Sequence, residues 1–164
     1  MSIPDIKGFK IIKRLGKGAF GVVYKAIDKK TNRTRAIKIE TKNKVARLDH
    51  EKKIYDLLNK ETGFPKIYKM LKSKKHNIFI MDYLGPSLED LFDFCNNKFS
   101  IKTVLMIGIQ ILNRIESLHK SSYIHRDIKP DNFLIGTGDR KSRIYMIDLG
   151  LSKRYINDDG HIAY

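Results

Sequence analysis

Apolar and polar positions alternate along the first third of the chain in the way of β-strands. Phe9-Lys10-Ile11-Ile12-Lys13-Arg14-Leu15 mixes apolar and basic residues as a strand with one exposed face does. Residues 22–27, with β-branched Val22, Val23 and Ile27, read as its hairpin partner, and Arg35-Ala36-Ile37-Lys38-Ile39-Glu40 alternates as a third strand. The polar stretch 28–34, with Asn32, is the turn between the last two. Between residues 45 and 59 the period changes. Leu48, Ile54, Tyr55, Leu57 and Leu58 approximate one face of a helix, with Glu51 among them, and Gly63-Phe64-Pro65 stops it. Residues 67–71 and 78–81 are short strands across a polar connection.

Gly85-Pro86 breaks the pattern, and the lobe boundary is placed there. Ser87 reads as a helix N-cap with Asp90 three residues on, and Ser100 caps the next helix. Over residues 103–120, Val104, Leu105, Ile109, Leu112, Ile115 and Leu118 form a broad apolar stripe, which predicts a buried helix. Residues 132–135 and 144–147 read as two short strands across a Gly136-Thr137-Gly138-Asp139 turn. The order predicts an α+β chain of two lobes: a β-rich N-lobe with one helix over 1–82, a hinge over 83–86, and the start of a helical lobe over 87–164.

Composition narrows the class. The chain has 164 residues, 41% hydrophobic and 31% charged, as one soluble globular unit does. Lys and Arg number 33 against 18 Asp and Glu, a net charge of +15 that favours anionic partners. Any single lysine run, such as Lys72, Lys74 and Lys75, reads as solvated surface. Cys95 is the only cysteine, which removes an internal disulfide, and it is expected to pack in a helix. The first residues carry no apolar signal region and no Gly at position 2, and no apolar run is long enough to span a bilayer. The expected location is cytoplasmic and/or nuclear. Nucleic-acid binding is not expected, because no interleaved aromatic platform accompanies the charge.

The chemistry concentrates in His125-Arg126-Asp127-Ile128-Lys129-Pro130-Asp131-Asn132. Asp127 can orient a hydroxyl and accept its proton, Lys129 can neutralise charge on a transferring group, and Asn132 can hold a metal ion that bridges phosphates. Asp148-Leu149-Gly150 follows an apolar strand and supplies a second metal-binding carboxylate at Asp148. Mg²⁺ suits such a pair, since it takes hard oxygen ligands and keeps several waters. Gly16-Lys17-Gly18-Ala19-Phe20-Gly21-Val22-Val23 lies in a predicted β-hairpin, so its glycines suit close approach to phosphates without the strand-to-helix setting of a dinucleotide fold. Lys38 is placed to hold phosphates, and Glu51 on the following helix to fix its ammonium. Each of these features has an ordinary structural explanation by itself. Together they stand in the order of protein-kinase motifs.

From about residue 9 onward the chain resembles a protein kinase, and it is similar to the casein kinase 1 family in particular. Leu84-Gly85-Pro86-Ser87-Leu88-Glu89-Asp90-Leu91-Phe92 and Lys98-Phe99-Ser100-Ile101-Lys102-Thr103-Val104-Leu105 carry the likeness, as does Asp131-Asn132, where most serine/threonine kinases have Glu-Asn. The resemblance implies ATP and Mg²⁺ as cofactors and transfer to serine or threonine of protein substrates, with acidic or phosphorylated residues favoured before the target. It implies nucleotide contacts from Leu15, Gly16, Lys17, Gly18, Ala19, Phe20, Gly21, Val22, Val23, Ala36 and Lys38. It makes Met81 the gatekeeper, puts backbone from Asp82 to Leu84 on the adenine, and gives catalytic roles to Asp127, Lys129, Lys38 and Glu51, with Asn132 and Asp148 on metal. Leu149 stands where the motif usually has Phe. Kinase domains of this kind run to roughly 250–300 residues, so the expected fold is a complete β-rich N-lobe with only the first part of the helical C-lobe. A nucleotide-binding or interaction module without kinase activity is the alternative.

Overall fold

The computed structural model describes residues 5–18, 21–41, 47–157 and 160–162. The chain divides into two compact units. One contains the chain up to Leu48 together with Ile67–Tyr83; the other contains Asp49–Lys66 and everything from Leu84 onward.

The first unit is one antiparallel sheet. Its strands are β1 (Phe9–Gly18), β2 (Gly21–Asp28), β3 (Thr34–Thr41), β4 (Ile67–Lys72) and β5 (His76–Asp82), in the order β1-β2-β3-β5-β4. The period of two explains the core. Ile37, Ile39, Ile78 and Ile80 join Ile6 and Ala26 in one buried cluster, against which Phe9, Ile11, Tyr24 and Leu71 pack. The intervening side chains of β5, Phe79 and Met81, are buried as well, so this central strand is apolar on both faces. The β2–β3 turn is tied by Asp28, whose carboxylate accepts from the Lys30 amide at 2.9 Å and the Thr31 hydroxyl at 2.7 Å. Asn32 there takes a left-handed conformation, φ 54°, one that asparagine tolerates.

Helix α1 (Arg47–Leu57) buries Leu48, Glu51, Ile54, Tyr55 and, just past its end, Leu58. Leu57 does not share that face; it is 58% exposed. At 3.6 residues per turn it falls about 120° from Glu51, too far round to join the stripe. Val45, where the sequence pattern starts this helix, lies outside the described residues. Helix α2 (Leu88–Phe94) begins in a capping box: the Ser87 hydroxyl accepts from the Asp90 amide at 3.0 Å, and the Asp90 carboxylate accepts from the Ser87 amide at 2.8 Å. Cys95 is the C-cap of α2 and is exposed, so it is not packed in a helix as expected.

Helix α3 (Ile101–Lys120) is capped by Ser100. The expectation that it is buried along its apolar stripe holds only at its end, where Leu118 is buried and Ile115 half-buried, and fails over the rest. Val104, Leu105, Ile109 and Leu112 are 53–66% exposed, and Arg114 and Leu118 are the buried residues. The helix docks through a neighbouring, more polar face at the spacing 110, 114, 117, 118, which is also helical. Gln110 accepts from the Ile144 amide at 2.9 Å and donates to the Ser142 carbonyl at 3.0 Å. Arg114 Nε donates to the Ile144 carbonyl at 3.1 Å, and Ser117 donates to Glu61 at 2.9 Å.

Short strands follow. β6 (Tyr123–Ile124) pairs with β9 (Lys153–Arg154), β7 (Phe133–Ile135) with β8 (Ile144–Met146), and β10 (Ile156–Asn157) with β11 (Gly160–His161). The turn expected at 136–139 is followed by a single 3-10 turn, Gly138–Arg140. No helix among the described residues is long and apolar enough to cross a membrane.

Candidate functional site

In the first unit the two strands that flank the glycine-rich segment pair as neighbours: Gly16 with Val23, Lys17 with Val22 and Gly18 with Gly21; Ala19 and Phe20 lie outside the described residues. Gly21 is required sterically: a Cβ there would strike the Ile39 carbonyl oxygen of the neighbouring strand. Leu15 is exposed. Lys38 is half-buried on β3, with Val23 beside it on β2 and Phe79 beside it on β5. Ala36 and Met81 are cross-strand partners and both are buried, so one small and one large side chain floor the same stretch of sheet. Asp82, the last residue of β5, is also buried, and Leu84 is buried within the second unit.

In the second unit β6 leads directly into the loop that carries Asp127. His125 is buried at 2% exposure and bridges the loop to β8. Its Nε2 donates to the Ile147 carbonyl at 3.0 Å, and its Nδ1 accepts from the Asp127 amide at 3.2 Å. Arg126 takes φ 68° and donates from Nε to the Leu151 carbonyl at 2.6 Å. The carboxylate Oδ2 of Asp127 receives Lys129 Nζ at 3.0 Å and Asn132 Nδ2 at 2.9 Å. The same Asn132 nitrogen donates to the Asp127 carbonyl at 2.8 Å. Lys129 and then Asn132 hold the Asp127 carboxyl below the usual carboxylate range, against the opposing pull of burial. Lys129 is raised in return, chiefly by that same hydrogen bond. Two consequences follow. Asp127 is anionic with its Oδ2 committed, which leaves the other oxygen to orient a hydroxyl. Asn132 has its nitrogen committed, which leaves its amide oxygen, a hard donor, for a cation.

Asp148 follows β8 in a left-handed conformation, φ 60° and ψ 61°. Glu51, 2% exposed on α1, approaches the same turn. A Cβ built on Gly150 would lie 3.6 Å from Glu51 Oε2 and 3.7 Å from Asp148 Oδ1, so the two carboxylates converge at that glycine. His50, one residue before Glu51, is within 2.7 Å of the Ser152 carbonyl through Nε2, which ties α1 to the segment after Asp148. Leu149 is fully buried. The Tyr55 hydroxyl is buried with no hydrogen-bond partner among the described residues. Burial, and then the nearby charges of Glu51 and Asp148, push its pKa well above the ordinary value. The Asp148 backbone tempers that rise, although the geometry falls short of a hydrogen bond.

The folded chain therefore brings Asp127, Lys129 and Asn132 into one bonded set and gathers Glu51 and Asp148 about Gly150. Lys38 sits in the other unit with Val23, Ala36 and Met81. Among the described residues no group of three His, Cys, Asp or Glu side chains could hold a metal ion. Asn132 and Asp148 suit a hard cation that also takes phosphate oxygens and water, the habit of Mg²⁺. His50, Tyr55, Gln110 and Arg114 escape the sequence reading. For the last two a signal exists, two polar residues four apart inside an apolar helix.

A family model described as the protein kinase domain matches residues 9–162. The chain belongs to that family, and its five-stranded antiparallel sheet and few helices are those of part of the two-lobed α+β kinase fold. Phosphoryl transfer from ATP, with Mg²⁺, to protein is the chemistry of such domains.

Proposed function

We propose that this protein is a serine/threonine kinase that favours acidic or phosphorylated sites and is related to the casein kinase 1 family. The observation that carries the reading is the Asp127 carboxylate, bonded on one oxygen by Lys129 and Asn132. In this mechanism Asp127 orients the substrate hydroxyl and accepts its proton as the oxygen attacks. Lys129 stabilises charge on the transferring phosphoryl group. Asn132 and Asp148 hold Mg²⁺, which supplies charge neutralisation of the phosphates when bound. Lys38 engages the phosphates and Glu51 fixes its ammonium. Backbone from Asp82 to Leu84 meets the adenine.

The acidic preference is supported by the +15 net charge and by its placement. Lys153 and Arg154, both exposed, form the strand paired with β6, which ends one residue before His125 and two before the exposed Arg126. Mg·ATP is expected to bind the wild type and to bind Lys38→Met more weakly. Asp127→Asn is expected to bind Mg·ATP normally and to lose transfer by on the order of a hundredfold or more. Peptides with Asp, Glu or phosphoserine before the target serine should outperform neutral and arginine-rich ones, with an advantage that shrinks as salt rises. Preference for arginine-rich peptides would refute the acidic reading. Near-normal transfer by Asp127→Asn would remove Asp127 from its role.

A further inference from the structure

Asp82 closes β5 and is held from both neighbouring strands, by backbone pairing on one side and by a side chain on the other. β5 lies between β3 and β4. On the β3 side the residue paired with Asp82 is Arg35. On the β4 side the backbone pairing stops one residue short, at Ile67 opposite Met81. A side chain replaces the missing rung: the Tyr68 hydroxyl donates to Asp82 Oδ1 at 2.8 Å. The Arg35 guanidinium lies over the Tyr68 ring, 3.8 Å from its centroid, so the two flanking residues also hold each other. β4 is irregular at this point. Ile67 pairs with Met81 and Lys69 with Ile80, which makes Tyr68 the extra residue of a bulge. Bulges re-aim a side chain, and this one turns the phenol onto the carboxylate. The next residue, Tyr83, has Lys25 Nζ 5.0 Å from its ring centroid.

We infer that Tyr68 and Arg35 clamp Asp82 so that the backbone leaving β5 is set in place before a nucleotide arrives, making Tyr68 a positioning residue for adenine recognition. The inference rests on the proposal that backbone from Asp82 to Leu84 meets the base. Backbone groups recognise a base edge only in a fixed geometry, and the ladder that fixes the rest of β5 has ended on its β4 side at Asp82. Tyr68 is 41% exposed while Asp82 is 6% exposed, so the phenol reaches inward from the surface to hold a buried acceptor.

The test is Tyr68→Phe, which keeps the ring beneath Arg35 and removes the one hydroxyl. Its Kd for Mg·ATP should rise about three- to tenfold, the size of one typical lost hydrogen bond. GTP presents a different base edge, so the ratio of GTP to ATP affinity should move towards one. Amide exchange should quicken at Tyr83 and Leu84 and stay unchanged at Ile37 and Ile80 in the sheet core. Wild-type Kd and wild-type exchange in Tyr68→Phe would overturn the clamp. So would an equal loss for ATP and GTP with faster exchange throughout the sheet, which is what a merely structural role produces. A wild type that fails to bind Mg·ATP would instead overturn the reading of the nucleotide site, and the clamp's role with it.

Discussion

The bond from Lys129 to Asp127 sets what this carboxylate can do. Held below the usual carboxylate range, it is a dependable anion, which suits orienting a hydroxyl and taking its proton only as the oxygen attacks. The side chain of Asp127 should titrate below about 3.9, the ordinary aspartate value, when followed by NMR. Lys129→Met should move it up towards that value, since the hydrogen bond that lowers it most is gone. A lowered carboxyl stabilises the fold above the unfolded pKa, and this contribution is lost as pH falls through the folded value. A titration of Asp127 between 5 and 7 would contradict the assignment. Tyr55 offers the opposite case. Its hydroxyl is buried without a hydrogen-bond partner among the described residues, so Tyr55→Phe should leave the unfolding midpoint unchanged or raise it. A fall of more than about 1 kcal/mol would show that the hydroxyl is bonded in solution. Asp127, Lys129 and Asn132 were legible because eight consecutive residues make the set. Tyr55 was not, because its surroundings depend on Asp148 arriving from a distant part of the chain.

At the level of elements, sequence patterns succeeded where one signal dominates. The strands of the first sheet follow period two, and both helix starts follow a serine cap. Ser87→Ala breaks both halves of the α2 capping box and should cost about 1 kcal/mol in denaturant unfolding. No measurable loss would mean that α2 is held by its packing alone. Patterns failed where two faces compete. In α3 the apolar residues suggested the buried side, yet Gln110, Arg114 and Ser117 do the docking with directed bonds. Leu57 failed for a related reason: a hydrophobic residue at a helix end matched the composition of the stripe without its angle. The two-residue strands, β6 and β9 among them, have no sequence period to read, because a period needs more residues than they contain.

Across the whole molecule, the exposed side of α3 is the feature with the largest solution consequence. Ile101, Leu105, Ile109 and Leu112 are 61–80% exposed on one helix, and a patch of that kind promotes association. The 164-residue chain should bind a hydrophobic dye and self-associate as concentration rises. Leu105→Lys with Leu112→Lys should reduce both, while the unfolding midpoint shifts by no more than about 0.5 kcal/mol for each residue, since both already face water. Dye binding and sedimentation unchanged by the pair would place the sticky surface elsewhere.

The docking face of that same helix bears on mutational tolerance. The strand that delivers Asp148 is held at Ile144 by Gln110 on its amide and Arg114 on its carbonyl. Gly63 lies so close to the Arg114 guanidinium that it cannot accept a Cβ. In a pooled variant library selected for phosphotransfer, Gln110, Arg114 and Gly63 should therefore be depleted almost as strongly as the loop residues. The apolar positions beside them on α3 should drift freely towards lysine and glutamate. A map of permitted substitutions would then invert most of the helix as hydropathy draws it, with the docking polar residues invariant and the exposed leucines expendable.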